Sequence, residues 1–260
     1  MLCGRFPPTA AVPRAIMSLV PGARGRRGKG VDETMIIHVE KLLGDDGLGE
    51  IDAILDGVPW IDGAAGMRDD IKAVKRNRQA DRAAAGDALA PADRLIMGAI
   101  GQSAQIRNGT FPHRVMRPLY ARYGEGAEYG LHTDNPFIGN PESIRADVSC
   151  TLFLNGPEDY DGGELVILAP GGEVKVKLPR GAAVVYPTGW HHRVEAVTRG
   201  ERRVAVTWIQ SRVASAERRE ILADANGVAH HLHQTAANSP AALTAQRVFN
   251  SLMRRWAEGS

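Results

Sequence analysis

Apolar and polar residues recur with two different periods along this chain. Met35–Val39 is a short apolar run that predicts a strand. Leu48, Ile51, Leu55 and Val58 then return at threes and fours behind Asp45 and Asp46, which predicts an amphipathic helix ending near Gly57. Trp60–Gly63 and Ala73–Gln79 read as extended segments joined by a Gly-containing loop. Pro91 sits where a helix can begin, with Leu95, Ile96, Ala99 and Ile100 as the buried stripe and an end near Asn108-Gly109.

From Arg114 to Val213 the period shortens to two, and Gly and Pro punctuate the runs. Val148–Asn155 is apolar enough to be a central strand. Asp161-Gly-Gly predicts a tight turn that launches Glu164–Leu168. Val174, Val176 and Leu178 alternate with Glu173, Lys175 and Lys177, so that strand has one wet face. Gly181–Tyr186 is apolar on both faces, and His192–Val197 and Arg202–Gln210 complete the set. About eight strands without crossover helices predict a mainly β fold with flanking helices around a jelly-roll core, a double-stranded β-helix. Past Val213 the helical period returns. Ser215 can cap Ala216–Asp224, and Ser239-Pro240 can open a last helix. Its stripe of Phe249, Leu252, Met253 and Trp256 is expected to dock on the sandwich.

Composition adds boundaries to this picture. The first 31 residues hold Arg5, Arg14, Arg24, Arg26, Arg27 and Lys29 but no acidic residue, with repeated Pro and Gly. Residues 1–34 are therefore expected to be a disordered basic tail or a mis-assigned start. Residues 35–213 form the expected jelly-roll domain with its N-terminal helices, and 214–260 a C-terminal helical segment. A net charge of +2 is too weak to argue for nucleic acid as a partner. No apolar run approaches the length needed to span a bilayer. Cys3 and Cys150 are too few and too differently placed for a disulfide framework, which fits a reducing, cytoplasmic setting. Self-association as a homo-oligomer is left open.

Candidate chemistry centres on Leu119–Pro136. On a strand, residues two apart share a face, so His132 and Asp134 would aim a nitrogen and an oxygen at one point. These are two ligands of a 2-His-1-carboxylate metal site, whose open positions leave room for chemistry. His192 shares a strand face with Val194 and Ala196, while Arg193 and Glu195 point away, which favours His192 over His191 as the third ligand. On the residues alone, a solvated turn for His132–Asp134 and a core histidine at 192 also stay open. Arg202, Val204, Val206 and Trp208 share a face of the last strand. A guanidinium on an apolar interior face calls for a carboxylate; Arg203 would be its solvated neighbour.

In order along the chain stand Lys75-Arg-Asn77, Tyr123-Gly-Glu-Gly, His132-Thr-Asp134, Asp147–Asn155, Gly162-Gly-Glu-Leu165, Tyr186-Pro187, His192, Gly200-Glu-Arg202, Trp208–Ser211 and Leu252–Trp256. With these motifs, from about Met35 to its C-terminus, the chain resembles the PKHD-type hydroxylases, a branch of the prolyl/lysyl-hydroxylase-like Fe(II)/2-oxoglutarate dioxygenases. The resemblance implies Fe(II) held by His132, Asp134 and His192, and 2-oxoglutarate held by Arg202. It implies Tyr123 near the iron-chelating end of the cosubstrate, with Thr151 and Trp208 lining the same pocket. It further implies O2 as co-reactant, L-ascorbate as reductant, succinate and CO2 as products, and hydroxylation of a peptide or small-molecule acceptor.

Three other readings compete. Nucleobase demethylases resemble an Arg-x5-Arg pattern, but the position six after Arg202 is Trp208. A halogenase would lack the carboxylate that Asp134 supplies. A non-catalytic jelly-roll binder of metal or small molecules needs neither Arg202 nor Tyr123. His230-His-Leu-His233 reads as a solvated stretch between helices. Lys75-Arg-Asn77 and Arg145 read as structural or surface positions near a substrate entrance.

Overall fold

The computed structural model describes residues 35–66, 69–139 and 143–258; the basic tail expected over 1–34 lies outside them. The chain opens with β1 (Ile37–Val39), α1 (Asp45–Asp56), β2 (Trp60–Asp62), α2 (Asp69–Lys72), β3 (Lys75–Arg76) and β4 (Arg78–Ala80). Three helices follow: α3 (Arg82–Ala85), α4 (Ala90–Gln102) and α5 (Ala104–Thr110). Next come β5 (Pro112–Val115), β6 (Leu119–Tyr123), β7 (Glu128–His132), β8 (Phe137–Ile138), β9 (Ile144–Arg145) and β10 (Val148–Phe153). Then run β11 (Tyr160–Gly162), β12 (Leu165–Ala169), β13 (Gly172–Val176), β14 (Ala183–Pro187), β15 (His192–Val194), β16 (Val197–Gly200) and β17 (Arg202–Ser211). Helices α6 (Ala216–Thr235) and α7 (Pro240–Trp256) close the described chain.

The strands form the expected jelly roll. A major sheet runs β1-β14-β10-β17-β6-β4-β2, with β5 also on β17, and a minor sheet runs β13-β12-β15-β7-β3. Between the sheets lie Tyr123, Phe153, Tyr160, Leu165, Ile167, Val184, Tyr186 and Val204. The other face of the major sheet offers Val148, Cys150, Leu152, Ala183, Val185, Ala205 and Ile209 to Leu48, Ile51, Leu55, Ile96 and Ile100 of α1 and α4. Strands buried on both faces lose the apolar–polar alternation, which is why β10 and β14 read as continuous apolar runs.

Several local expectations are corrected. The helix expected to end near Asn108-Gly109 breaks at Ser103, whose extended backbone lets its hydroxyl accept from Ile106 N at 3.3 Å and start α5. In α4, Ile96 and Ile100 are fully buried, whereas Leu95 and Ala99 are only partly covered. The predicted strand His192–Val197 splits into β15 and β16, so Ala196 does not continue the inward face of His192 and Val194. Helix α6 runs to Thr235 rather than Asp224. Asn226 and Gly227 are poor helix formers, but buried Leu222 and Ala229 on either side hold the helix together. His230, His231 and His233 therefore belong to the end of α6, not to a stretch between helices. The stripe of α7, expected to dock on the sandwich, packs instead beside α6 and the chain flanking β5 and β17, with Phe249, Leu252, Met253 and Trp256 against Phe111, Val213 and Leu222.

Candidate metal centre

Antiparallel pairing of β7 with β15 puts His132 opposite His192. Asp134, two residues past His132, returns to the same point: its Oδ1 lies 3.8 Å from His132 Nε2 and 3.7 Å from His192 Nε2. One ligand atom from each of the three residues falls within 4.8 Å of the others. Exposed His191 stands apart from this cluster.

Each imidazole is oriented by a backbone carbonyl two residues earlier. His132 Nδ1 lies 2.7 Å from Gly130 O, and His192 Nδ1 lies 3.0 Å from Trp190 O. A carbonyl can only accept, so the protons sit on Nδ1 and the Nε2 lone pairs face Asp134. Burial, and then the neighbouring His192, hold His132 below its ordinary pKa and therefore neutral. Two imidazole nitrogens and one carboxylate oxygen are a donor set suited to a divalent transition metal.

Asp134 is fixed from behind. Its Oδ2 accepts from Ser149 Oγ at 2.9 Å and from Trp208 Nε1 at 2.8 Å. Ser149 and Trp208 are cross-strand partners in the β10–β17 register, so one pairing delivers both donors. Ser149 Oγ also lies 3.0 Å from Thr188 Oγ1. Around the histidines, the Tyr129 ring stacks on His132 with 3.6 Å between centroids, and Tyr186 meets His192 edge-on at 5.3 Å.

The three residues open into a cavity of about 320 Å3, whose walls include Tyr123, Thr151, Arg202 and Trp208. Arg202 is 1% exposed, yet its Nε has no hydrogen-bond partner among the described residues. Its guanidinium lies 5.1 Å from the Tyr123 ring centroid and 5.5 Å from that of Phe153. Register pairs Arg202 with Tyr123, which sets this tyrosine at the arginine end of the cavity. Asn155 clamps the backbone around Arg202, donating to Glu201 O at 2.7 Å and accepting from Arg203 N at 2.8 Å. Arg203 is not simply solvated: it lies half-buried, 3.2 Å from Asp52 of α1.

Lys75 and Asn77 line the same cavity and are nearly fully buried. Burial pulls the Lys75 ammonium down to about 8 against the opposing pull of Asp134 and Asp62. Arg145 lies elsewhere, paired with Asp147 and Glu258. Ser149 escaped the sequence reading because cross-strand register sets it opposite Trp208, and a single sequence does not display register; Tyr129 shares β7 with His132, and Thr188 follows the end of β14.

The family model described as the 2OG-Fe(II) oxygenase superfamily matches residues 118–210, the stretch holding all seven expected site residues. A PKHD-type hydroxylase of Hyphomonas neptunium is 38% identical over 229 residues, covering 86% of this chain and 100% of the relative. One of Shewanella frigidimarina is 40% identical over 190 residues, covering 72% and 83%. Among solved structures, the non-heme alpha ketoglutarate dependent epimerase SnoN from nogalamycin biosynthesis is 15% identical with a TM-score of 0.53. That match covers 76% of this chain and 82% of SnoN and concerns the fold alone. A relative matched over its whole length, with the motifs in order on a jelly roll, leaves one conclusion: the chain belongs to the PKHD-type hydroxylases of the 2OG-Fe(II) oxygenase superfamily.

Proposed function

We propose that His132, Asp134 and His192 hold one Fe(II) and that Arg202 anchors the far carboxylate of 2-oxoglutarate. The chain would then hydroxylate a peptidyl or small-molecule acceptor with release of succinate and CO2. The observation that carries this reading is the convergence of two carbonyl-oriented Nε2 atoms and Asp134 Oδ1 within a few ångströms. The buried, unfilled Nε of Arg202 on the same cavity supports the dicarboxylate. When bound, iron and 2-oxoglutarate supply the activation of O2.

The residues of the chain supply geometry and exclusion of water. Ser149 and Trp208 hold Asp134 so that Oδ1 faces the histidines. Thr151, Tyr123 and Trp208 wall the cosubstrate space. In this reading residues 35–213 carry the chemistry, and 214–260 is a C-terminal segment whose described part holds α6 and α7. L-ascorbate is the proposed reductant. A cytoplasmic location is part of the same reading. No helix among the described residues is long and apolar enough to cross a membrane.

Anaerobic titration of apoprotein with Fe(II) and then 2-oxoglutarate tests the reading. The metal-to-ligand absorption band should appear, and His132→Ala should abolish it. Succinate should form slowly even without acceptor. A protein that binds both but never makes succinate is a binder, and the proposal fails.

A further inference from the structure

Helix α6 carries a buried arginine that reaches back into the jelly roll. Arg219 is 4% exposed, and its guanidinium donates to three carbonyls: Val213 O at 2.9 Å, Ala214 O at 2.7 Å and Asp147 O at 3.2 Å. The first two lie just ahead of α6, but Asp147 is 72 residues away, between β9 and β10. A cation near a helix N-terminus opposes the helix dipole, so α6 by itself gives no reason for an arginine there.

From Asp147 the hydrogen bonds lead to the metal centre. Asp147 O also accepts from Thr188 N at 3.2 Å, as the two lone pairs of a carbonyl allow. Thr188 is buried, with Oγ1 3.0 Å from Ser149 Oγ. Ser149 has one hydroxyl proton, which goes to Asp134 Oδ2 at 2.9 Å, so the proton between the two hydroxyls comes from Thr188. The order is Arg219, Asp147 O, Thr188, Ser149, Asp134. The other end of the described C-terminal segment closes on Asp147 as well. Glu258, past α7, pairs with Arg145, whose Nε donates to Asp147 Oδ1 at 2.7 Å. Glu258 N donates to Arg212 O at 2.8 Å.

We propose that Arg219 is a positioning residue for the metal centre, acting through Asp147 O and Thr188 on the Ser149 hydroxyl that holds Asp134. This rests on the metal assignment above. A lone serine hydroxyl rotates freely, and the Thr188 donor fixes it with its proton toward the carboxylate. The C-terminal helices thus complete the metal site from behind.

The test measures Fe(II) and Co(II) dissociation constants under argon, the Co(II) ligand-field band and urea unfolding. Thr188→Val keeps the side-chain shape and deletes the hydroxyl; Arg219→Met keeps the stem and deletes the guanidinium. Each should weaken Fe(II) about 5-fold, less than the 10-fold or more of groups that touch a ligand directly, and each should shift the Co(II) band. Thr188→Ser should restore both readings. Because the two residues act in one chain, the double variant should lose little more than either single one, whereas independent effects would multiply to about 25-fold. Multiplying losses overturn the inference. So does an Arg219→Met protein that loses stability but keeps its metal affinity and Co(II) band, for its arginine would only fasten α6. If Arg219→Met does not fold, Arg219→Lys replaces it, since an ammonium lacks the fork that spans all three carbonyls. It should weaken Fe(II) too, and unchanged affinity overturns the inference. If the unsubstituted protein binds neither metal, the metal assignment itself fails and takes this inference with it.

Discussion

The inner and outer faces of β17 are built from alternate residues of one ten-residue strand. On the inner face Arg202 and Trp208 look into the cavity, the first with an unfilled Nε and the second bonded to Asp134. On the outer face Ala205 and Ile209 pack into the helix-facing core, and Arg203 meets Asp52 of α1. Arg202 and Arg203 are the same residue type one position apart. The difference teaches that the inner face borders the cavity, whereas the outer face packs on neighbours already in the chain. Substitutions within this one strand should therefore separate function from stability.

The largest effect is expected from Arg202→Met. Removing a buried guanidinium from a carboxylate costs several kcal/mol, so 2-oxoglutarate affinity should fall about 100-fold. Fe(II) affinity should hold, and the unfolding midpoint should stay or rise because an unmatched buried charge has gone. Titration calorimetry and thermal unfolding read the two quantities separately. A variant that loses stability but keeps 2-oxoglutarate would place Arg202 with the outer face.

Ile209→Ala should do the reverse. Ile209 is fully buried in the core shared with α1 and α4, and truncation to Ala removes about 3 kcal/mol of stability by lost burial and the cavity left behind. Turnover per folded molecule should not change. Urea unfolding gives the first number and succinate release below the transition gives the second. A fall in turnover without loss of stability would break the comparison.

Much of this was legible before any coordinates. Strand parity alone separated Arg202 from Arg203 and His192 from Arg193, because a period of two is local and needs no partner strand. Parity also pointed to His132 and Asp134, although β7 ends at His132 and Asp134 reaches the same point from the chain that follows it. What stayed hidden depends on register between distant strands. Ser149 and Trp208 converge on Asp134 only because β10 and β17 pair with those residues opposite. Trp208 was expected as a wall of the pocket; its bond to Asp134 could not be read from spacing. The true length of α6 depended on packing that outweighs two weak helix formers.

Trp208→Phe sharpens the comparison on the inner side. It keeps the ring that lines the cavity and deletes the Nε1 donor to Asp134 Oδ2. Groups that orient a ligating carboxylate are worth roughly 10–100-fold in metal affinity or activity, and Ser149 still holds the same oxygen. The expected loss is therefore ~10-fold in Fe(II) affinity, read by metal titration under argon. An unchanged affinity would leave Trp208 as a wall and nothing more.

The smallest effect is expected from Arg203→Met, the outer counterpart of the first substitution. Arg203 approaches Asp52 at 3.2 Å and Asp56 at 3.9 Å, but both ion pairs are partly open to water. Asp52 would not be abandoned, because Arg180 also reaches it at 2.5 Å. Methionine keeps most of the aliphatic stem that covers the sheet. Partly exposed pairs of this kind contribute about 0.5 to 1 kcal/mol, less at high salt. Urea unfolding at low and high ionic strength should show that small difference shrinking with salt, with 2-oxoglutarate affinity unchanged throughout. A shift in cosubstrate affinity as large as that of Arg202→Met would mean that β17 does not divide its labour by face.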